Sequence, residues 1–84
     1  MKLIWLTAAW EDYLYSQQND KKTVAKINHL LKEIQRIPFT GIGNPEALRH
    51  SLSGWWSQRI NLEDRLVYKV EEDCIVILQC RKHY

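Results

Sequence analysis

Residues 20–37 carry the feature that most restricts this chain. Val24, Ile27, Leu31 and Ile34 recur at the three- and four-residue spacing of a helix, and Leu30 and Ile37 widen the stripe. Lys22, Lys26, Lys32 and Glu33 lie away from it, so the helix has one apolar face to bury and one for water. Asp20 is placed to cap its start. Ile37-Pro38 ends it, because a residue before proline is pushed out of the helical region. A single amphipathic helix cannot bury its own face. In a chain of 84 residues the partner layer has to come from the same domain, residues 1–84.

The rest of the chain supplies that layer. Residues 2–6 read as a short strand, and Thr7 is a candidate cap for a first helix with Trp10, Tyr13, Leu14 and Gln17 along one face. Gln17-Gln18-Asn19-Asp20 breaks that helix. After the second helix comes a loop from Pro38 to about Glu46, containing Gly41, Gly43 and Pro45. Residues 55–60, 65–71 and 74–82 then alternate as strands, joined by turns at 61–64 and 71–73. The expected fold is α+β in the order βααβββ, an antiparallel sheet with both helices packed on one face.

Several classes of function fall away. No run of eighteen apolar residues is present to cross a membrane, and the start lacks the long apolar stretch and cleavage site of a signal peptide. Cys74 and Cys80 lie in one strand, about 20 Å apart at its rise per residue, whereas a disulfide needs Cα atoms within about 7 Å. Both read as small buried hydrophobes in a reducing compartment, and the expected location is the cytoplasm. His29, His50 and His83 lack ligand spacing and neither cysteine has a nearby partner, so no metal or other cofactor is expected. A net charge of +2 does not by itself demand a nucleic acid; its distribution matters more.

Pairing Ile60 near Asp64 and Val70 near Cys74 sorts the last three strands into two faces. One carries Trp56, Ile60, Leu66, Tyr68, Val70, Cys74, Val76, Leu78 and Cys80, and is expected to receive the helices. The other carries Ser57, Arg59, Arg65, Lys69, Gln79, Arg81 and His83, with Trp55, Val67, Ile75 and Ile77 between them. Arg59 and Arg65 then oppose each other across a hairpin, a like-charge pair that costs something under about 1 kcal/mol. Such a face either awaits an anion or is simply the solvated side of an antiparallel sheet, and both readings stand. Trp55 fits either a base-stacking platform or a dimer contact. Glu46 follows a Gly/Pro loop, where reactive groups are often mounted. Arginine, histidine and glutamate are the parts needed to cleave RNA without metal: a base for the 2′-hydroxyl, an acid for the departing 5′ oxygen, and guanidinium groups for the charged phosphorane.

Five stretches carry a resemblance that spans the whole chain: Trp10-Glu11-Asp12-Tyr13-Leu14-Tyr15, Gly43-Asn44-Pro45-Glu46-Ala47-Leu48, Leu52-Ser53-Gly54-Trp55-Trp56-Ser57, Arg65-Leu66-Val67-Tyr68 and the terminal His83-Tyr84. In order and spacing the sequence resembles the YoeB toxins of the RelE/ParE superfamily. That resemblance implies a metal-independent endoribonuclease that cuts mRNA in the A site of the translating 70S ribosome and is silenced by a YefM-like antitoxin. It also leaves room for a homodimer. Carried over by position, Glu46 is the general base, His83 the general acid, Arg65 the principal phosphate-stabilising group and Tyr84 the aromatic that orients the RNA. Arg49 and Arg59 match supporting cations, and Arg81 joins them from the arginine face. Arg49 stands where the familiar form has lysine, Asp64 replaces a histidine beside Arg65, and Ile42, Asn44 and Gln58 occupy positions often basic in relatives. Two other classes are distinguishable by whether new mRNA 3′ ends appear in a translating extract. One is a non-catalytic gyrase poison of the ParE kind, which lacks the terminal His-Tyr pair. The other is a plain RNA-binding module with aromatics on its arginine face.

Overall fold

The computed structural model describes residues 1–41 and 43–83. Its elements run β1 (Lys2–Trp5), α1 (Thr7–Asn19), α2 (Lys21–Arg36), β2 (Glu46–Ala47), a short 3-10 turn (His50–Leu52), β3 (Trp56–Arg59), β4 (Arg65–Glu71) and β5 (Cys74–Gln79). The α+β class and the two-helix layer agree with the sequence reading, while the sheet is mixed. Its order is β1-β5-β4-β3-β2, and β1 runs parallel to β5 while the remaining pairs are antiparallel. The two-residue β2 adds a far edge where the expected loop ends, in a stretch where the sequence reading placed no strand.

The apolar stripe of α2 is where its spacing puts it: Ile27, Leu30, Leu31 and Ile34 are buried, although Ile37 beyond the helix is exposed. Asp20 caps this helix, accepting the Thr23 backbone N–H at 3.2 Å and the Thr23 hydroxyl at 2.8 Å. Those bonds hold its carboxyl below the usual range. The first helix differs from expectation. Thr7 is its first residue, not its cap, and its buried positions are the small Ala9 and Ser16, while Trp10 and Leu14 are exposed. Small side chains let α1 lie close on β5, so close that the Cys80 thiol donates to the Ala9 carbonyl at 3.5 Å. Tyr13 does reach the core edge, partly buried beside Trp5 with ring centroids 4.9 Å apart and tilted, and the exposed Trp10 stacks on Tyr13 at 5.8 Å.

The core face of the sheet carries Leu66, Tyr68, Ile75, Ile77 and Cys80, with Leu3, Trp5, Trp56 and Val70 partly buried against them. The expected phase therefore holds for β3 and β4 but is inverted along β5, where Ile75 and Ile77 face the helices instead of Val76 and Leu78. The hairpin explains it. Val70 pairs with Ile75 and Glu71 with Cys74, one residue away from the expected register, and a one-residue slip exchanges the two faces. A bulge between Val67 and Tyr68 then restores the expected phase, so that Gln79 pairs with Val67 and Cys80 returns to the core.

One buried polar chain fixes the loop ahead of β2. Gln58 points into the core, where its amide donates to the Tyr68 hydroxyl at 3.1 Å, and that hydroxyl donates to the Pro38 carbonyl. Gly43 packs directly on this arrangement and its carbonyl accepts the Arg59 N–H at 2.9 Å. A Cβ at residue 43 would lie 2.4 Å from the Gln58 amide oxygen, 3.0 Å from Gln58 Cβ and 3.1 Å from a Leu30 methyl. The Gln58 amide has nowhere to go without breaking its bond to Tyr68. Gly43→Ala should therefore lower stability by about 1–3 kcal/mol, the cost of overpacking a core, and urea unfolding followed by circular dichroism checks it.

Candidate active site

The site is built from cross-strand register on the face away from the helices. Glu46 pairs with Ser57, Ser57 with Val67, and Val67 with Gln79, which sets one residue from each of four adjacent strands in a row. Paired residues project to the same side, with neighbouring strands about 4.8 Å apart. Ser57 and Val67 have no exposure and form the floor of the row. Two residues along the strands, Arg59 pairs with Arg65, as the sequence reading placed them. The Arg65 guanidinium reaches back over the floor and donates to the Ser57 hydroxyl at 3.4 Å, which leans it toward the Glu46 end. A half-buried guanidinium held this way is preorganised for an anion that arrives on this face.

The chain end comes to the other flank of Arg65. Its backbone N–H donates to the Lys82 carbonyl at 3.0 Å, so His83 follows one residue after a bond to Arg65 itself. Arg65 thus sits between Arg59 of β3 and the terminal segment. His83 is exposed there, and Tyr84 lies outside the described residues. On the opposite side, Glu46, Leu48, Arg49 and His50 line an open depression that continues the site past β2. Arg49 is exposed and immediately precedes the 3-10 turn, whose first residue, His50, has φ +57°. Glu46 and Arg49 thus line one depression, Arg59 and Arg65 are paired on the neighbouring strands, and the segment before His83 is bonded to Arg65.

Arg81 goes elsewhere. Its guanidinium carbon lies 3.5 Å from the centroid of the Tyr15 ring on α1, a cation–π contact with the helical layer. Gln58 is also not a missing surface cation: it is buried and bonded to Tyr68. Asn44 is exposed with φ +53°, a conformation that asparagine tolerates well, and Ile42 falls outside the described residues. Trp55 sits on the open face with the Lys69 ammonium 5.8 Å above its ring.

Three residues at this site were placed from sequence without the roles that the structure gives them. Ser57, Asp64 and Gln79 hold Arg65 or the chain end by side-chain hydrogen bonds, and such roles leave no periodic or compositional mark. Asp64 directly precedes Arg65 in sequence, but its carboxylate is engaged by other groups. One of its oxygens accepts the Lys82 N–H at 2.7 Å and the other the Asn61 amide at 2.9 Å. Both cysteines are free thiols. Burial foremost, with the Asp12 and Asp64 carboxylates adding to it, pushes the Cys80 thiol up to about 12, so it is no nucleophile. Among the described residues no group of three or more histidine, cysteine or acidic side chains is placed to hold a metal ion. Among the described residues no helix is long and apolar enough to cross a membrane.

Comparison with known proteins finds likeness along the whole chain. Residues 5–84 match the family described as YoeB-like toxin of bacterial type II toxin-antitoxin system. The chain is similar to Toxin YoeB of Escherichia coli K12, at 56% identity over 84 residues and the full length of both. Among solved structures it is similar to a YoeB/ParE toxin from Agrobacterium tumefaciens, with a TM-score of 0.97, 43% identity and complete coverage of both chains. A Staphylococcus aureus YoeB, solved as a dimer, superposes with a TM-score of 0.94 at 50% identity, covering 100% of this chain and 98% of that one. The same relative in a heterotetrameric YoeB-YefM complex gives 0.92, with the same identity and coverage. Likeness at this level across the full chain leaves one family, and the protein belongs to the YoeB-like toxins of bacterial type II toxin–antitoxin systems.

Proposed function

We propose that this toxin is a metal-independent endoribonuclease that cleaves mRNA in the A site of the translating ribosome and thereby stops translation. The observation that carries the reading is the convergence on Arg65. Its guanidinium leans over Ser57 toward Glu46 at one end of a four-strand row, while its backbone is bonded to the segment that ends in His83 at the other. A scissile phosphate seated on Arg65 has a carboxylate on one side and an imidazole on the other. That is the layout an in-line displacement needs.

In the proposed reaction Glu46 accepts the proton of the ribose 2′-hydroxyl, and the freed oxygen attacks the adjacent phosphorus. Arg65, supported by Arg59 and Arg49, stabilises the added negative charge of the phosphorane. The bond to the 5′ oxygen breaks as His83 gives that oxygen a proton, leaving a 2′,3′-cyclic phosphate and a 5′-hydroxyl. Tyr84 is proposed to orient the RNA beside His83. A carboxylate is a weak base toward a ribose hydroxyl, and the cationic surface is modest. Both argue that the ribosome supplies much of the acceleration by holding the message in a reactive geometry. Cleavage should therefore be efficient on programmed ribosomes and poor on the same RNA free in solution; equal rates on the two would sink ribosome dependence.

The division of roles is testable by single-turnover cleavage on programmed ribosomes, with circular dichroism to confirm each variant's fold. Arg65→Ala should slow cleavage about a hundredfold, or ~3 kcal/mol, with little loss of ribosome binding. Glu46→Ala and His83→Gln should each slow the chemical step by ~10²–10⁴-fold. A message with a 5′-phosphorothiolate at the cleavage site has a leaving group that needs no proton. It should restore His83→Gln and leave Glu46→Ala slow, and equal rescue of both would refute the assignment of acid and base.

The partner follows from the relative solved with YefM. We infer an inhibitory complex with a YefM-like antitoxin, whose segment folds onto the toxin and covers the open face, with a homodimer as the resting form of free toxin. Saturating cognate antitoxin should abolish cleavage, and undiminished activity in its presence would disprove inhibition.

A further inference from the structure

β5 leaves the sheet after Gln79, yet the chain beyond it does not run free. The Cys80 N–H donates to Asp12 Oδ2 on α1 at 3.1 Å. The Lys82 N–H donates to Asp64 Oδ1 at 2.7 Å. The Gln79 amide donates to the carbonyls of Arg81 and Lys82 at 3.3 and 3.2 Å, and the Lys82 carbonyl also accepts the Arg65 N–H. Lys82 itself has φ +65°, the left-handed region that a residue with a side chain enters at a cost of order 1–3 kcal/mol unless its surroundings impose it. These bonds are what imposes it. The turn at Lys82 sends the following residue, His83, past Arg65 instead of onward along β5.

Asp64 is itself held ready. Asn61 Oδ1 accepts the backbone N–H groups of Glu63 and Asp64, both at 2.8 Å, and the Asn61 amide donates to the second oxygen of Asp64. The same amide lies 3.4 Å from the Thr23 hydroxyl of α2, which ties the β3–β4 turn to the helical layer. The carboxylate at residue 64 therefore meets the Lys82 N–H already aligned, as a charge-assisted acceptor for a backbone group with no strand to pair with.

We propose that Asp64 is a positioning residue for the terminal acid: by accepting the Lys82 N–H it sets the turn that delivers His83 beside Arg65. It thereby governs protonation of the leaving group and not the attack. This rests on the endoribonuclease reading, and it makes a distinction that a purely structural role for Asp64 does not. A structural tether would slow every substrate alike, or lower stability alone. A residue that acts through His83 matters only where His83 is needed.

The experiment compares Asp64→Ala and Asp64→Asn with wild type on ribosomes programmed with ordinary message and with the 5′-phosphorothiolate message. Asp64→Ala should cleave ordinary message ~10²-fold more slowly, the scale of a misplacement of about 1 Å in a catalytic group. It should cleave the phosphorothiolate message at close to the wild-type rate. Asp64→Asn keeps an acceptor oxygen for Lys82 and should fall between. Amide hydrogen exchange gives a readout independent of activity: the Lys82 N–H should be protected in wild type and lose that protection in Asp64→Ala while β4 and β5 stay protected. Equal slowing on both messages, or a wild-type rate with the Lys82 amide unprotected, overturns the proposal; if Asp64→Ala does not fold, Asp64→Asn is judged by the same readings. Should His83→Gln itself gain nothing from the phosphorothiolate, the acid role of His83 falls and this proposal with it. Rescue of His83→Gln without rescue of Asp64→Ala removes only the role given to Asp64.

Discussion

Between Tyr68 and Val67 strand β4 advances one residue while β5 advances two, from Ile77 to Gln79. Ile75 and Ile77 face the helices below this bulge, and Cys80 faces them above it. Without the extra residue, Gln79 would be driven into the core and Cys80 outward. The Asp12 and Ala9 contacts that anchor the end of β5 to α1 would then have no partner. The bulge also puts Gln79 in the row with Val67, Ser57 and Glu46, from which its amide reaches the tail carbonyls. Bulges re-aim side chains at the ends of ladders, and here one irregularity serves both the core and the site.

Much of this was legible in the residues. The α2 stripe, the hairpin pairing of the last three strands and the Arg59–Arg65 opposition follow from periodicity and short turns, because amphipathic spacing and hairpin closure are local properties. The parallel place of β1 beside β5 is a long-range pairing, and neither it nor the short β2 is marked by any local pattern. The phase of β5 was not legible, since both of its faces are apolar: Cys74, Val76 and Leu78 on one, Ile75 and Ile77 on the other. Gln79, the polar residue of β5, lies beyond the bulge and so marks the wrong phase for the rest of the strand, which only the turn decides. Pairing Glu71 with Cys74 leaves Glu72 and Asp73 as a two-residue turn, whereas the expected register made the turn one residue longer. The first helix misled for a related reason. Its large residues suggest a buried stripe, but a helix lying this close on a sheet needs small side chains at the contact, and Ala9 and Ser16 provide them.

The candidate site was legible as a set of residue types and less so as a geometry. Register pairs Arg59 with Arg65 and sets Glu46 in the row with Ser57, while Glu46 and Arg49 line one depression. Arg81 shows the limit. Its place in the alternation suggested the arginine face, yet past Gln79 the chain is no longer in the sheet and alternation has no meaning. The side chain is free to turn toward Tyr15, where a cation over an aromatic face is favourable. The roles of Ser57, Asp64 and Gln79 are tertiary, each joining segments far apart in sequence or at a chain end, and no window of sequence displays them.

The charges on the open face oppose the fold's own stability. Arg59 and Arg65 stand opposite each other on neighbouring strands, and a like-charge pair in that position is unfavourable. Arg65 cannot relax away, since its side chain is half-buried over Ser57 and its backbone is bonded to Lys82. Asp64, its neighbour in sequence, faces the tail instead, both oxygens engaged by Lys82 and Asn61. Selection for stability alone would place a carboxylate opposite one of the arginines, as the surface pair Glu33–Arg36 does on α2 at 3.0 Å. Sites where a sequence departs from what its fold would prefer are where function is expected. A polyanion laid along this face would turn the arginine repulsion into attraction.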